Sequence, residues 1–258
     1  MTMSLGLYDL AGGPFLKLYI VLLALTIVAG FLIPRWLKRE GHPGLVTDIG
    51  ELAYLAGGMA RFADTVVAHL LATRALAMVG KKGFQALTRG SGRTEIELTV
   101  LALPGELSWK GISQSLEPYA EPIERRLVAD WLIMDAGQTL QMRFWQTLPY
   151  FLLLPFGTIK VIVDEMRHRP VGYLVLLLIL TAMLALIRWF TVDRLTRGGH
   201  AALKAARRSA ARLKLAPTST ETDLAVALFG TEVLVASGWS GFHELRTARL
   251  GFGRSGGG

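Results

Sequence analysis

The chain contains no cysteine, and only 19% of its residues are charged. The missing thiols exclude disulfide bonds, iron–sulfur clusters, thiolate nucleophiles and cysteine-ligated zinc sites. The low charged fraction accompanies 52% hydrophobic residues and a mean hydropathy of +0.40, outside the pattern of ordinary soluble domains. We therefore expect a membrane protein, and the 258 residues leave room for one cytosolic domain of about 100 residues.

Two apolar segments clearly predict membrane-spanning helices. Residues 15–34 contain an uncharged run, Leu18 to Ile33, which only Asp9, Lys17 and the amino terminus precede and which Arg35, Lys38 and Arg39 follow directly. This order favours an uncleaved anchor over a secretory signal peptide. Residues 171–190 form the clearest span, because an apolar run ends at Arg188 and Trp189, residues typical of the membrane–water interface.

A third span is predicted for residues 144–163, with less regular composition. Pro149, Pro155 and Lys160 interrupt the apolar sequence. Prolines are tolerated in membrane helices, and a lysine near a helix end can extend its ammonium to the interface. A re-entrant or interfacial segment is the alternative. The expected fold is therefore a mainly α membrane protein, with an N-terminal anchor and a C-terminal helical hairpin.

The distribution of basic residues predicts the orientation. The segment after the third span carries eight bases and one acid, whereas the loop 164–170 between the second and third spans has balanced charges. Cytosolic loops are the ones enriched in Lys and Arg. We therefore expect residues 1–14 and the loop 164–170 outside, and the C-terminus inside, a bacterial inner membrane.

The segment 42–143, between the first two spans, is the expected cytosolic domain. It has ten basic and eleven acidic residues, so the chain's net charge of +8 comes from its membrane-flanking segments. This balance makes nucleic acid an unexpected partner, because DNA binding needs a basic face. The bilayer is the expected partner of the basic segments.

A weak internal repeat predicts the fold of this domain. Its copies are 51–83 and 97–137, each a short helix, a turn, a longer helix and an extended tail. The matching segments are 51–56 with 97–102 and 71–78 with 127–134. This order is that of a winged-helix module, in which helices and a small hairpin share one core. An irregular helical domain with coincidental similarity is the alternative.

Three further segments follow the last span. Residues 199–215 predict a basic amphipathic helix, on the inner membrane surface or solvated beside it. Residues 221–235 predict an apolar helix that docks on the cytosolic domain or the bilayer. Residues 250–258 form a glycine-rich tail, and its dinucleotide-like glycine pattern lacks the strand and helix that nucleotide binding needs.

Catalytic patterns are missing from the sequence. The five histidines are scattered without metal-ligand spacing, so we expect no catalytic residue, no cofactor and no metal site. The remaining candidates are contacts to the membrane interface. These are Arg35, Lys38, Arg39, Lys160, Arg167, Arg169, Arg188, Trp189, Arg207 and Arg208.

Four segments together carry a resemblance to a known family. They are Gly13-Pro-Phe-Leu-Lys-Leu-Tyr19, Glu51-Leu-Ala-Tyr-Leu-Ala-Gly-Gly58, Arg167-His-Arg-Pro-Val-Gly-Tyr-Leu174 and Asp223-Leu-Ala-Val-Ala-Leu-Phe-Gly230. They are similar to an uncharacterised family of bacterial membrane proteins, and the resemblance covers nearly the whole chain. It implies a conserved three-span membrane domain and a glycine-rich, often cysteine-rich, C-terminal tail. This chain departs from that pattern, because its tail has no cysteine.

The sequence favours a non-enzymatic adaptor or scaffold that recruits a partner protein through its cytosolic domain, or that self-associates. A small-solute transport component is the alternative, in which Lys160 and the interrupted second span line a path. A membrane-tethered transcription regulator is the third possibility.

Overall fold

The computed structural model describes residues 12–37, 46–80, 83–88, 90, 92, 94–167, 169–215, 218–235 and 237–250. The helices are α1 Gly12–Leu37, α2 Ile49–Ala72, α3 Glu95–Leu101, α4 Trp109–Ala129, α5 Ala136–Met166, α6 Gly172–Phe190, α7 Arg197–Ser209, α8 Thr222–Phe229 and α9 Ser240–Leu250. The strands are β1 Leu76–Val79, β2 Gly83–Ala86 and β3 Leu107–Ser108. The chain divides into two compact units, one within Met1–Arg39 and Met134–Arg194, the other within Glu40–Ile133 and Leu195–Gly258.

Unit 1 consists of α1, α5 and α6, and each of these helices is long and apolar enough to cross a membrane. The second span is longer than the predicted 144–163, because α5 begins where the Asp135 carboxylate accepts a hydrogen bond from the Gln138 backbone N–H. Pro149 and Pro155 lie inside α5 without ending it. The predicted segment is therefore part of one continuous helix, which is long and apolar enough to cross a membrane.

Close approach at Gly157 holds the three helices of unit 1 together. A Cβ atom at this position would come within 2.6 Å of the Tyr19 ring of α1 and 2.9 Å of the Leu178 side chain of α6. The Tyr19 hydroxyl in turn forms a 3.1 Å hydrogen bond with the Thr181 hydroxyl of α6. Small residues at such contacts let helix backbones approach closely, which is typical of helices that associate in membranes.

Unit 2 is built around α2. The Asp48 carboxylate caps its N-terminus, and the helix is broken at Gly57 and Gly58, where Gly58 has a φ of 64°. Beyond the break, the buried residues of α2 include Phe62 and Leu70, which form part of one core with α4 and α8. The broken helix therefore forms the centre of the domain.

The first repeat copy has the predicted hairpin, whereas the second does not. Leu76–Val79 forms β1, which pairs antiparallel with β2, and β2 pairs with β3. In the second copy, the predicted tail 132–134 forms an isolated bridge between Ile133 and Leu195. The winged-helix interpretation thus stays a prediction.

The segment that follows α6 packs within unit 2. Ala202 and Leu203 of α7 belong to the core of unit 2, and Leu213 is buried in the 3₁₀ turn that follows. The apolar stripe predicted for a membrane-surface helix is therefore covered by protein. Helix α8 docks on α2. The sequence did not predict α9, whose Phe242 packs edge to face on Phe84.

Candidate functional site

Unit 2 contains an open cavity of about 440 Å³. Its walls come from α2, α3 and α4, and α8 contributes Asp223. The walls are largely apolar, with Phe62 and Val66 of α2, Ile96 of α3 and Ile123 of α4. A concave site of this size, with a few polar groups among apolar ones, is typical of ligand-binding pockets.

His69 supplies the polar centre of this cavity, which we call the His69 cavity. Its Nδ1 atom lies 3.0 Å from an Asp223 carboxylate oxygen, and its Nε2 atom lies 3.6 Å from Glu97 Oε1. The His69 side chain is 30% exposed, whereas Asp223 and Glu97 are 17% and 14% exposed. One imidazole of α2 thus stands between carboxylates from α8 and α3.

The environment of Asp223 keeps its carboxylate ionised. Burial acts to raise the pKa of Asp223, but the hydrogen bonds from His69 and from the Leu224 backbone N–H outweigh burial. The net result is a pKa below the ordinary value of 3.8. Asp223 therefore acts as a charged acceptor that orients the His69 ring.

The arrangement around His69 is suited to recognising charge. An Asp-oriented histidine acts as a general base when a hydroxyl or thiol nucleophile faces its second nitrogen. Here a carboxylate faces that nitrogen, at a distance longer than a hydrogen bond. Two carboxylates and an imidazole thus meet at one side of the open cavity.

A charged rim continues from this centre. Arg126 lines the cavity and lies 3.4 Å from a Glu51 carboxylate oxygen. Burial raises the pKa of Glu51, the charge of Asp48 adds to this effect, and Arg126 opposes both. Arg126 is 65% exposed, so its guanidinium reaches solvent at the edge of the cavity.

A second buried charged group in unit 2 is an ion pair outside the lining of the cavity. Arg246 of α9 forms an ion pair with Asp64, and its guanidinium lies 4.0 Å from the centre of the Trp109 ring. Their side chains are only 6% and 9% exposed. This pair fastens α9 to α2 and is a structural contact rather than an open site.

In unit 1, Lys160 is buried rather than extended to the interface. Its ammonium donates to Asp164 at 2.8 Å and lies 5.3 Å from the centre of the Phe15 ring. The predicted snorkelling conformation is therefore replaced by an internal ion pair. Arg169 approaches the same carboxylate at 3.9 Å, and Arg167 is exposed at the end of α5.

The third span ends in interhelical contacts. Arg188 donates to the Gly30 carbonyl of α1 at 2.5 Å, and its guanidinium lies 4.8 Å from the centre of the Phe31 ring. The Trp189 ring packs edge to face on Phe151. Arg188 therefore connects α6 to α1 instead of only facing the interface.

The other predicted interface residues have separate environments. Arg35 is exposed in the last turn of α1, whereas Lys38 and Arg39 lie outside the described residues. Arg207 donates to the Leu228 carbonyl at 2.9 Å, and Arg208 is exposed. The described candidates of unit 1 thus have separate contacts, and Arg207 and Arg208 belong to unit 2.

Sequence reasoning missed the His69 cavity. His69 and Asp223 are 154 positions apart, so no local spacing connects them. The available signal was polar residues in the otherwise apolar second half of α2, where Asp64 and His69 both found buried or half-buried partners. Among the described residues, no group of three or more His, Asp or Glu side chains could hold a metal ion.

No protein-family model matches the chain, and no curated protein or solved structure matches it.

Proposed function

We propose that the chain is a bacterial inner-membrane adaptor whose unit 2 binds a partner protein at the His69 cavity. The observation that carries this proposal is the cavity itself, which is open, largely apolar and centred on His69, Asp223 and Glu97. Three apolar helices would anchor the adaptor. The eight bases that follow the third span favour a cytosolic C-terminus and therefore a cytosolic unit 2.

The resemblance to the uncharacterised bacterial family supports the inner membrane as the location. The winged-helix interpretation is proposed for the first repeat copy alone. In that copy the broken helix α2 leads directly into the β1–β2 hairpin, in the order that such modules have. Modules of this kind serve protein recognition as well as DNA recognition.

The burial of α2 counts against transcription control. A recognition helix must present polar side chains to a DNA groove. The second half of α2 instead buries Phe62, Val67 and Leu70 in the core. Lys160 similarly counts against the transport alternative, because its ammonium is fully buried and bonded to Asp164.

Cavity filling tests the adaptor function. We would purify the full chain from its native membrane in mild detergent, as wild type and as Ile96→Trp, which fills the cavity from α3. Leu98→Trp is the matched control, because Leu98 lies on the same helix, is 40% exposed and does not line the cavity.

The expected result is one stoichiometric protein that accompanies the wild type and Leu98→Trp but not Ile96→Trp. Equal recovery with both variants would mean that the partner docks elsewhere. Wild-type chain that purifies with no stoichiometric protein and as a homo-oligomer would replace the adaptor by a self-associating scaffold.

A further inference from the structure

We infer that unit 1 binds the phosphate of an anionic phospholipid at Arg143 of α5 and Arg188 of α6. Both arginines lie at the end of unit 1 where α5 begins and where α1 and α6 end. The inference goes beyond the proposed function and does not depend on the His69 cavity. It starts from two half-buried guanidinium groups whose hydrogen-bonding capacity the described residues use only in part.

Arg143 and Arg188 lie on adjacent helices, about one helical turn apart. The Gln146 side chain of α5 donates to the Arg188 carbonyl of α6 at 2.8 Å. Arg143 precedes Gln146 by one turn and therefore lies on the same face of α5. The Arg188 side chain reaches the Gly30 carbonyl of α1 at 2.5 Å. The two arginines thus lie where all three helices of unit 1 meet.

The donors of both arginines are only partly satisfied. The Nε atoms of Arg143 and Arg188 are buried and have no hydrogen-bond partner among the described residues. Arg188 uses one Nη group for the Gly30 carbonyl, and neither guanidinium forms an ion pair with a described carboxylate. A cation held among apolar helices without a counter-ion is costly. An anion bound at this place would therefore be stabilised by both side chains.

Tryptophans mark this end of unit 1 as the membrane–water interface. The three tryptophans of unit 1 all lie near it, Trp36 on α1, Trp145 on α5 and Trp189 on α6. Trp36 is 86% exposed and Trp145 is 41% exposed. Tryptophan is enriched at the depth of the lipid headgroups. In the proposed orientation this end faces the cytosolic leaflet, whose anionic lipids attract basic residues.

A phospholipid matches both the charge and the surroundings of the two arginines. A guanidinium donates two parallel hydrogen bonds to phosphate oxygens, and one phosphate has enough oxygens for two arginines. The exposed side chains of Phe31, Phe144 and Ile187 lie beside them and offer apolar surface to acyl chains. A soluble phosphate ion would not cover that surface, so a lipid is favoured over the free ion.

Three probes separate net charge from acyl chains. They are dioleoylphosphatidylglycerol, which is anionic, dioleoylphosphatidylcholine, which has the same chains and no net charge, and inorganic phosphate, which has no chains. Native mass spectrometry of the full-length chain, released from a neutral detergent, counts the molecules bound in a titration. Phosphatidylglycerol is expected to bind at least about tenfold more tightly than phosphatidylcholine, which is the effect of one charge-assisted hydrogen bond. Inorganic phosphate is expected to bind more weakly than phosphatidylglycerol.

Variants assign the preference to the two arginines. Arg143→Gln should abolish the preference for phosphatidylglycerol, and it removes no hydrogen bond or ion pair to a described residue. Arg143→Lys keeps the charge without the paired donors and should retain part of the preference. Arg188→Gln should abolish the preference as well, although it also loses the Gly30 contact. Lys17→Gln is the control, because it removes an exposed positive charge at the other end of α1 and should change nothing.

Three results would overturn the inference. The first is equal binding of the two lipids by the wild type, or a full preference in Arg143→Gln. The second is a loss in Lys17→Gln as large as that in Arg143→Gln, which would mean that lipid responds to the charge of the whole unit. The third is displacement of phosphatidylglycerol by inorganic phosphate at equal concentration, which would make a soluble phosphate the ligand. None of these results changes the capture of a partner at the His69 cavity, so the inference and the proposed function can fail separately.

Discussion

Arg246→Met is expected to destabilise unit 2 strongly. The substitution leaves the Asp64 carboxylate buried without the guanidinium that pairs with it. Removing one partner of a buried ion pair costs about 3–5 kcal/mol. Arg61 also contributes favourable charge at Asp64, so the lower half of this range is expected. The contact of Arg246 with the Trp109 ring, which is lost too, acts in the same direction.

The double variant Asp64→Leu/Arg246→Met separates two contributions to the free energy of unfolding. One is the destabilisation by an unpaired, buried Asp64 carboxylate, and the other is the net stabilisation by the ion pair. Apolar residues of similar volume replace buried ion pairs at little cost. The double variant should therefore be more stable than Arg246→Met alone. This non-additivity is expected because the two side chains are in direct contact.

The stability that Arg246→Met loses should depend on pH. Burial raises the pKa of Asp64, and Arg246 opposes that rise, so removal of Arg246 raises the pKa further. A raised carboxyl pKa means that the folded state keeps a proton that the unfolded state has released. Stability is then lost as pH increases through the folded pKa. The stability difference between the wild type and Arg246→Met should thus be smaller in mildly acidic buffer than at neutral pH.

Thermal unfolding of the detergent-solubilised chain, followed by tryptophan fluorescence, measures these effects. A change of 1 kcal/mol shifts the midpoint of a domain of this size by about 2–4 °C, so a loss of about 3–4 kcal/mol should make Arg246→Met melt about 6–16 °C lower. A midpoint within about 2 °C of the wild type, or a double variant less stable than the single one, would refute the reasoning.

Three smaller perturbations test other contacts. Gly157→Ala should destabilise unit 1 by about 1–3 kcal/mol, seen as a lower melting temperature, because the new methyl group overlaps the Tyr19 ring. Gly230→Ala should cost about 2–3 kcal/mol in the same assay, since Gly230 has a φ of 92° and its Cβ would overlap the Arg61 guanidinium. Asp223→Asn should lose less stability between pH 5 and pH 3 than the wild type, because the lowered pKa of Asp223 gives stability that disappears as pH falls.

Matched glycines provide the controls. Gly172 and Gly238 have open space where a Cβ would be added, so their alanine variants should melt close to the wild type. If Gly172→Ala is as destabilising as Gly157→Ala, the contact with α1 is not the cause. The same comparison applies to Gly238→Ala and Gly230→Ala. Parallel pH profiles of the wild type and Asp223→Asn would remove Asp223 from the acid-sensitive groups.

The long apolar helices could be predicted from the sequence because their signal is local. Burial in lipid requires about 20 consecutive apolar residues, and such runs are visible without any knowledge of neighbours. The start of α5 was missed for a related reason. Residues 136–143 are too polar for a hydropathy pattern, and the Asp135 cap that starts the helix is a single hydrogen bond.

The environment of Lys160 could not be predicted in the same way. A lysine near a helix end extends to water when the path along the helix is open. In the folded chain Phe15 of α1 covers that path, and Asp164 lies one helical turn away with its carboxylate available. The spacing of Lys160 and Asp164 was in the sequence, but the covering aromatic ring depends on how α1 packs.

The His69 cavity could not be predicted from the sequence, because it depends on which helices pack around α2. Helical periodicity identifies which face of α2 is apolar, but α2 is surrounded by α4 on one side and α8 on another. Its polar residues therefore face partners that come from distant parts of the chain. A histidine in an apolar helix predicts some partner, because an unpaired buried imidazole is costly. The identity of that partner, and the open space beside it, follow only from the docking of α8, which brings Asp223 next to His69.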